Sequence, residues 1–562
     1  MIDPSSVVGK APPIERRVPF VVVGAGAAGV AAALEAVRAG VEVMLIDENP
    51  LDPDLMAMDV PHYFGQRMSL SARNRALMLE RVIEANPGLG RADEAGVDVQ
   101  LGVSVWGAFR NGPTQRELAG PVLGLANEER SWLVRYDRLL IATGTRDVVL
   151  GFPGWQKAGV VGANGLASLT RHRVFAGRQL AVLGSGPLGL QTARQALEAG
   201  LEVVAVVEVT AELRGDPVET RRLTDQGVRF YPSHTVQEAS GRTGEVESVT
   251  LIRLDADLAP IAGSETEIAC DTICLALGLA PNVELLALLG ATLRFRSDLG
   301  GFVPETDGWL GTSAPGVFAA GDCTGVHEAL VADDGVARGQ GRLAGLGAAL
   351  SLGAVDRARA EAVRTELGGV GARPSEPVHA YWRHWLRSSI RVGGLEVYAC
   401  QCEEVTRREL IGVQPPRYLG WHSPGMSARG LGTLLRDGPI NQDQIKRLTR
   451  AGMGPCQGRR CREQVALFLA EEAGVPVGQI PLPSFRAPVR PLSLQVLWPR
   501  DEPEAARDHW VSWFGIPTQF TPHWTSHVDA SETTVFMGLG GESQHGGSSV
   551  EKQRELPGTG RG

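Results

Sequence analysis

At 562 residues the chain is long enough for about three domains. Its composition, 43% hydrophobic and 21% charged, is that of an ordinary globular protein, and a net charge of −9 argues against nucleic acid as a main partner. The longest apolar run, Val21 to Leu34, is interrupted by Gly24, Gly26 and Gly29 and closed by Glu35, so it is not a membrane span. Met1 is followed by a polar, Pro-containing stretch without the pattern of a secretory signal, and a cytoplasmic location is expected.

Phe20 to Val23 reads as a buried parallel strand. Gly24-Ala-Gly26-Ala-Ala-Gly29 follows, then a predicted helix from Val30 to Ala39 and a strand from Val41 to Ile46 closed by Asp47 and Glu48. Each part has a physical role in binding a dinucleotide. Gly24 permits the tight turn, Gly26 lets the backbone approach a pyrophosphate, and Gly29 lets helix and strand pack closely. The helix N-terminus offers free N–H groups to phosphate, and Asp47 or Glu48 can accept the ribose hydroxyls. A glycine-rich loop alone is weak; with strand, helix, second strand and acid in register it predicts a dinucleotide site.

The pattern repeats from Leu180. A strand to Leu183 leads into Gly184-Ser-Gly186-Pro-Leu-Gly189, a helix from Leu190 to Ala199, and a strand from Leu201 to Val207 closed by Glu208. Glu208 would repel a 2′-phosphate, which predicts NAD(H) rather than NADP(H). Such a fold can also take ATP, or nothing.

The seven cysteines divide unevenly. Cys270, Cys274 and Cys323 lie scattered in α/β sequence. Cys270 and Cys274 are too far apart in extended chain for a disulfide and read as core thiols. Cys400, Cys402, Cys456 and Cys461 form two close pairs with 53 residues between them. Four such thiolates suit a [2Fe–2S] cluster or a zinc ion. The Cys400-Gln-Cys402 spacing is tight for structural zinc, and the glycines around Cys456 can bring N–H donors to sulfur, which favours the cluster.

Two segments resemble elements of two-domain flavoproteins with a glutathione-reductase-like architecture: Tyr136-Asp-Arg-Leu-Leu-Ile-Ala-Thr143-Gly144 and Thr312-Ser-Ala-Pro-Gly-Val-Phe-Ala-Ala-Gly321-Asp322. The resemblance implies FAD in the first fold, with Thr143, Gly144 and Gly321 at the cofactor and Asp322 at its ribityl chain. It also makes Gly65-Gln66 the counterpart of a turn packed on the flavin. The stretch Asp271 to Asn282 resembles the return from the second fold to the first. The CxxC disulfide of reductase relatives is missing.

Cys402-Glu-Glu-Val-Thr406, together with Lys446-Arg-Leu-Thr-Arg-Ala-Gly-Met-Gly-Pro-Cys456-Gln-Gly-Arg459, closely resembles the bacterioferritin-associated-ferredoxin-like domain. It is similar to the version fused to alpha-type subunits of opine oxidases, D-hydroxyproline dehydrogenases, hydrogen cyanide synthase and heterotetrameric sarcosine oxidase. The resemblance spans about residues 18 to 490, and the segment from Gln414 to Gly425 looks inserted. It implies a hetero-oligomer that also contains a flavoprotein like an amino-acid oxidase and a small third subunit. It further implies FMN at a subunit interface and electron relay through flavin and cluster.

The expected fold class is α/β: two Rossmann-like dinucleotide-binding domains plus a small helical [2Fe–2S] domain. The expected divisions are a discontinuous FAD domain (18–150 and 290–345), a nucleotide domain (151–289), a helical connector (346–394), a separate cysteine domain (395–480) and an extended tail (481–562). The tail carries Trp510, Trp513, Phe514, Phe520 and Trp524, and from about Ser531 its Gly, Ser, Glu and Gln content predicts disorder. No substrate acid/base constellation is recognisable, which fits a relay subunit. The alternatives are a self-contained NADH-dependent FAD/[2Fe–2S] reductase and a nucleotide-binding scaffold.

Overall fold

A computed structural model describes residues 14–51, 53, 67–112, 118, 120–242, 244–326, 334–368, 377–420 and 429–497. Gly65 and Gln66, with His62 and Tyr63, lie outside the described residues, as do the aromatic tail residues and the segment from Ser531. Contacts divide the chain into two units: residues 1–15 with 493–562, and residues 16–492. In the first, the described residues include a short helix, Leu494–Leu497. No helix among the described residues is long and apolar enough to cross a membrane.

The first sheet of the larger unit is built from β1 (Ile14–Val23), β2 (Val43–Asp47), β3 (Asp98–Leu101), β4 (Ser104–Phe109), β5 (Val122–Ala126) and β6 (Ser131–Ile141) in the order β3-β2-β1-β6-β5-β4. Phe20, Val21 and Val22 are fully buried, as the continuous apolar run predicts for a central parallel strand, and Phe20 pairs with Val43. Helix α1 (Ala27–Arg38) starts at once after Gly26, three residues ahead of the expected start. Its face meets α5 (Asp334–Ser351). The approach is close because α5 carries glycines. A Cβ at Gly341 would stand 2.0 Å from the Ala28 carbonyl oxygen, and one at Gly345 would stand 2.4 Å from that of Ala32.

The chain leaves this sheet through β7 (Thr145–Asp147). The second fold then runs through β8 (Val160–Gly162), α2 (Ala163–Arg171), β9 (Gln179–Leu183), α3 (Pro187–Glu198), β10 (Glu202–Val207) and β11 (Phe230–Tyr231). Helix α3 begins at Pro187, whose fixed φ suits a first helical position. An antiparallel sheet follows, made of β12 (His234–Ser240), β13 (Ser248–Arg253) and β14 (Thr266–Ala269). Strand β15 (Thr272–Leu275) inserts beside β9 and completes the parallel order β11-β10-β9-β15-β8. Strand β16 (Leu279–Pro281) pairs with β7 and returns the chain to the first fold. Then come α4 (Glu284–Leu288), a hairpin of β17 (Leu293–Arg296) and β18 (Gly301–Pro304), and β19 (Val317–Ala319), which joins β6 through Val317 and Leu139. Two Rossmann-like folds in an α/β chain are therefore observed as expected.

The C-terminal part of this unit consists of α6 (Val378–Gly393), β20 (Tyr398–Cys400), β21 (Val405–Thr406), α7 (Arg407–Gly412), α8 (Gln442–Thr449) and α9 (Arg462–Ala473), with shorter helices between. It does not stand apart from the second fold. One continuous core contains Val207, Val249 and Leu275 of that fold, Tyr381, Trp382 and Trp385 of α6, and Cys400, Cys461 and Phe468 of the cysteine segment.

Candidate flavin cavity and cysteine cluster

A cavity of about 420 Å³ opens at the C-terminal ends of β1 and β2, the edge where open α/β sheets bind ligands. The loop after β1 shapes it through two glycines that sterics require. Gly24 has φ +102°, and a Cβ there would lie 2.2 Å from the Ala142 carbonyl oxygen; a Cβ at Gly29 would lie 1.8 Å from that of Gly24. Gly26 differs: its Cβ would meet nothing within 4 Å, and the residue faces the cavity at the α1 N-terminus. That cradle fits a pyrophosphate lying on backbone N–H groups.

Asp47 and Glu48 both line the cavity. Asp47 is committed to the loop. One carboxylate oxygen accepts from the Ala25 N–H at 2.6 Å, and the other accepts from the Asn49 N–H and Nδ2 at 2.9 Å. Burial pushes its pKa above the usual carboxylate value, and the Ala25 N–H opposes that shift. Glu48 is paired with Arg490 and stands on the cavity wall.

Thr143 and Gly144 form the opposite lip. Asn282 clasps them: its Nδ2 donates to the Thr143 carbonyl at 2.9 Å, and the Thr143 hydroxyl donates to the Asn282 carbonyl at 2.9 Å. Gly321, with φ +77°, turns the chain so that Asp322 reaches the cavity, and its N–H donates to Gln340 at 2.8 Å. Asp322 keeps open surface, yet its carboxyl lies within a protein-walled cleft. Burial there, with Asp334 adding to it, raises its pKa. Cys323 beside it is a buried thiol donating to the carbonyls of Ile141 and Ala320 at 3.3 Å, and burial pushes it up to about 12, as a packing role requires. Cys270 and Cys274 are likewise buried and free.

The four late cysteines converge. Cys402 Sγ lies 4.0 Å from Cys400 Sγ and 3.6 Å from Cys456 Sγ. The Cys461 thiol contacts that of Cys400, so the sulfurs follow one another in the order Cys456, Cys402, Cys400, Cys461. Among the described residues, no three His, Cys, Asp or Glu are arranged around a single metal ion. The Gly452 N–H donates to Cys400 Sγ at 3.4 Å, and a Cβ at Gly454 would stand 2.5 Å from Cys402 Sγ. Crowding raises the thiols: the hydrogen bond with Cys400 heads the causes that push Cys402 up to about 12. A positively charged centre would reverse that and make thiolates the stable form. The donor chemistry therefore fits a metal centre held by thiolates. Buried Arg460 acts electrostatically on all four cysteines.

The cavity and the cysteine loop share residues. Arg459, between Cys456 and Cys461, lines the cavity and donates to the Val489 carbonyl. Glu284 of α4 also lines it, bridging to Arg146 at 3.1 Å and to Arg462, next to Cys461, at 3.0 Å. Sequence reasoning missed Arg459, Glu284 and Arg490. Arg459 lay in plain view inside the cysteine motif, whereas no local pattern marked the other two.

The second loop differs from the first. Glu208 is fully buried, and both its carboxylate oxygens accept from protein groups. Gly184 and Gly189 serve the fold as expected, since a Cβ at Gly184 would lie 2.5 Å from the Ala276 carbonyl oxygen and one at Gly189 would lie 2.0 Å from that of Gly184. Gly186, however, is buried where a pyrophosphate would approach.

Two Rossmann-like folds joined by β7 and β16, with an open glycine cradle, an acid at the end of β2 and Asp322 opposite, define a flavoprotein oxidoreductase of the two-dinucleotide-fold class. The pyridine nucleotide-disulphide oxidoreductase family profile matches residues 18–349, and a sarcosine oxidase A3 domain profile matches residues 427–498. The chain belongs to the pyridine nucleotide-disulphide oxidoreductase family and is a FAD-dependent oxidoreductase. It is 26% identical over 542 residues to an opine oxidase subunit of Rhizobium meliloti, covering 91% of this chain and 93% of that protein. It is 29% identical over 468 residues to the HcnB subunit of hydrogen cyanide synthase from Pseudomonas aeruginosa, covering 78% and 90%. With the alpha subunit of sarcosine oxidase from Rhizobium meliloti it shares 26% identity, over 85% of this chain and 42% of the other. Its fold is similar to that of L-proline dehydrogenase from P. horikoshii, with TM-score 0.58 and 21% identity over 87% of this chain and 81% of that one.

Proposed function

We propose that the chain is the electron-transferring subunit of a multi-subunit, cytoplasmic, flavin-dependent amine or imino-acid dehydrogenase. Its substrate would be an opine, hydroxyproline, sarcosine or a glycine-like compound. An amino-acid-oxidase-like flavoprotein subunit would carry substrate oxidation, with FMN at the shared interface and a small third subunit. The observation that carries this reading is Arg459, which spans from the Cys456–Cys461 loop to the cavity wall. Relatives that are subunits of opine oxidase, hydrogen cyanide synthase and sarcosine oxidase support it.

Gly24, Gly26 and the α1 N-terminus would hold the FAD pyrophosphate, Glu48 the ribose and Asp322 the ribityl chain. Cys400, Cys402, Cys456 and Cys461 would hold a [2Fe–2S] cluster. When bound, these groups supply the redox chemistry. The protein supplies position and charge. Arg459 and Arg490 place cations on the cavity wall, while Arg460 and the Gly452 N–H stabilise negative sulfur.

Purified anaerobically, the chain should contain about two irons with matching sulfide and give a spin-half paramagnetic resonance signal on reduction. Alone it should not oxidise opines, sarcosine, hydroxyproline or glycine; with its amino-acid-oxidase-like partner it should accept their electrons. Stoichiometric zinc without iron would remove the cluster from this reading. Turnover by the isolated chain would remove the relay.

A further inference from the structure

The chain contains two copies of one phosphate-binding device, and they have different fates. In each, the residue after the first glycine donates its N–H to the acid that closes the second strand: Ala25 to Asp47 at 2.6 Å, Ser185 to Glu208 at 3.1 Å. In the first copy the next glycine, Gly26, is exposed on a cavity; in the second its counterpart Gly186 is buried.

What covers the second copy belongs to the chain itself. The Tyr381 hydroxyl, on α6, donates to Glu208 Oε2 at 2.9 Å, and the Ser185 hydroxyl donates to the same oxygen at 2.6 Å. Thr210 fills Oε1 through its N–H at 3.0 Å and its hydroxyl at 2.9 Å. The loop after β10 folds back as well. The Arg214 N–H donates to the Ser185 hydroxyl at 3.0 Å, and the Arg214 guanidinium stacks 4.0 Å from the centre of the Tyr381 ring. Trp382, next on α6, donates its indole N–H to the Leu277 carbonyl at 2.9 Å, and a Cβ at Gly278 would lie 2.5 Å from that nitrogen.

We infer that the second dinucleotide fold is a socket for helix α6, in which the Tyr381 hydroxyl donates to Glu208 in the place of a nucleotide ribose hydroxyl. The socket has a mechanical role. The opposite face of α6 grips α9 through Arg383 and Arg387, which contact Glu471 at 2.8 Å and 2.6 Å. Helix α9 starts immediately after Cys461. The buried acid of the second dinucleotide fold therefore anchors the helix that holds the cysteine segment. Entry of a nucleotide would require stripping Tyr381 from a carboxylate that is fully buried, which is costly unless every lost bond is replaced.

The test uses the full flavin-loaded chain. Calorimetric titration with NADH, NADPH and ATP to about 1 mM should show no saturable binding, and anaerobic NADH should leave the flavin oxidised. Saturable binding of any of the three, or flavin bleaching by NADH, would overturn the inference. Tyr381→Phe, which keeps the ring, should speed amide exchange at Ser185 about tenfold, the equivalent of one charged hydrogen bond lost from the buried site. Unchanged exchange at Ser185 in that variant would show that Tyr381 does not close the site. Tyr381→Ala should additionally accelerate exchange along α9, and protection there equal to wild type would sink the anchoring role.

Discussion

The Arg459 guanidinium donates to the carbonyl oxygen of Val489, and both residues line the flavin cavity although Arg459 belongs to the loop between Cys456 and Cys461. Cluster and flavin retention should therefore be linked. Arg459→Met should weaken FAD binding by about tenfold, the scale of one hydrogen bond to a charged group. Cys456→Ser should lose iron and also part of its flavin on gel filtration. Full flavin retention in both variants would show that the loop and the cavity are independent.

The three glycines of the first loop should respond differently to a bulky side chain. Gly26→Val points into open space, so the chain should fold with near-wild-type thermal stability and carry no FAD. Gly29→Val drives its side chain against the Gly24 backbone and should not give soluble protein. Flavin absorbance and circular dichroism separate the two; a yellow Gly26→Val protein would refute the pyrophosphate cradle.

Arg146 is almost wholly buried and pairs with both Glu284 and Glu463. Its removal in Arg146→Met leaves two buried carboxylates sharing Arg462, with an expected cost of about 3–5 kcal/mol by chemical denaturation. Burial already raises the Glu284 pKa and Arg146 opposes that, so the variant raises it further. A carboxyl with a raised folded pKa loses stability as pH rises through the window above its unfolded pKa. The deficit of the variant should shrink as pH is lowered toward the usual carboxylate pKa, and a deficit independent of pH would count against a further rise at Glu284.

His379 packs its ring against Phe295 and Trp382 and shares a 3.0 Å hydrogen bond with Ser297. Burial lowers its pKa from 6.5 to about 4. In that window the unfolded state binds a proton that the folded state does not, so stability rises with pH and is lost as pH falls from 6.5 toward 4. The full span is worth about 3 kcal/mol. His379→Leu should flatten this part of the stability–pH curve, and a slope equal to wild type would show that another group dominates acid destabilisation.

What could be read from sequence was local, and what could not was brought in from far along the chain. Gly24, Gly26, Gly29 and the apolar strands on either side carry their meaning in spacing, because turn sterics and strand burial act over a few residues. The four cysteines were legible for the same reason. The motif around Glu208 does not announce its partner Tyr381, which comes from a helix whose own pattern announces only burial. Arg490 reaches Glu48 across almost the whole chain, and no periodicity carries such information. The starts of α1 and α3 were placed three residues late because the glycine loop passes directly into helix.

The walls of the candidate flavin cavity are drawn from positions 23 to 490, with Asp322, Arg459, Val489 and Arg490 the last pieces supplied. At a synthesis rate of roughly 5–20 residues per second, the first loop is made about 20–90 s before Arg490 arrives to face Glu48. During that interval the phosphate cradle exists without its far wall. A product truncated before the cysteine loop would therefore keep the glycine turn and lack Arg459, Val489 and Arg490 from the cavity wall.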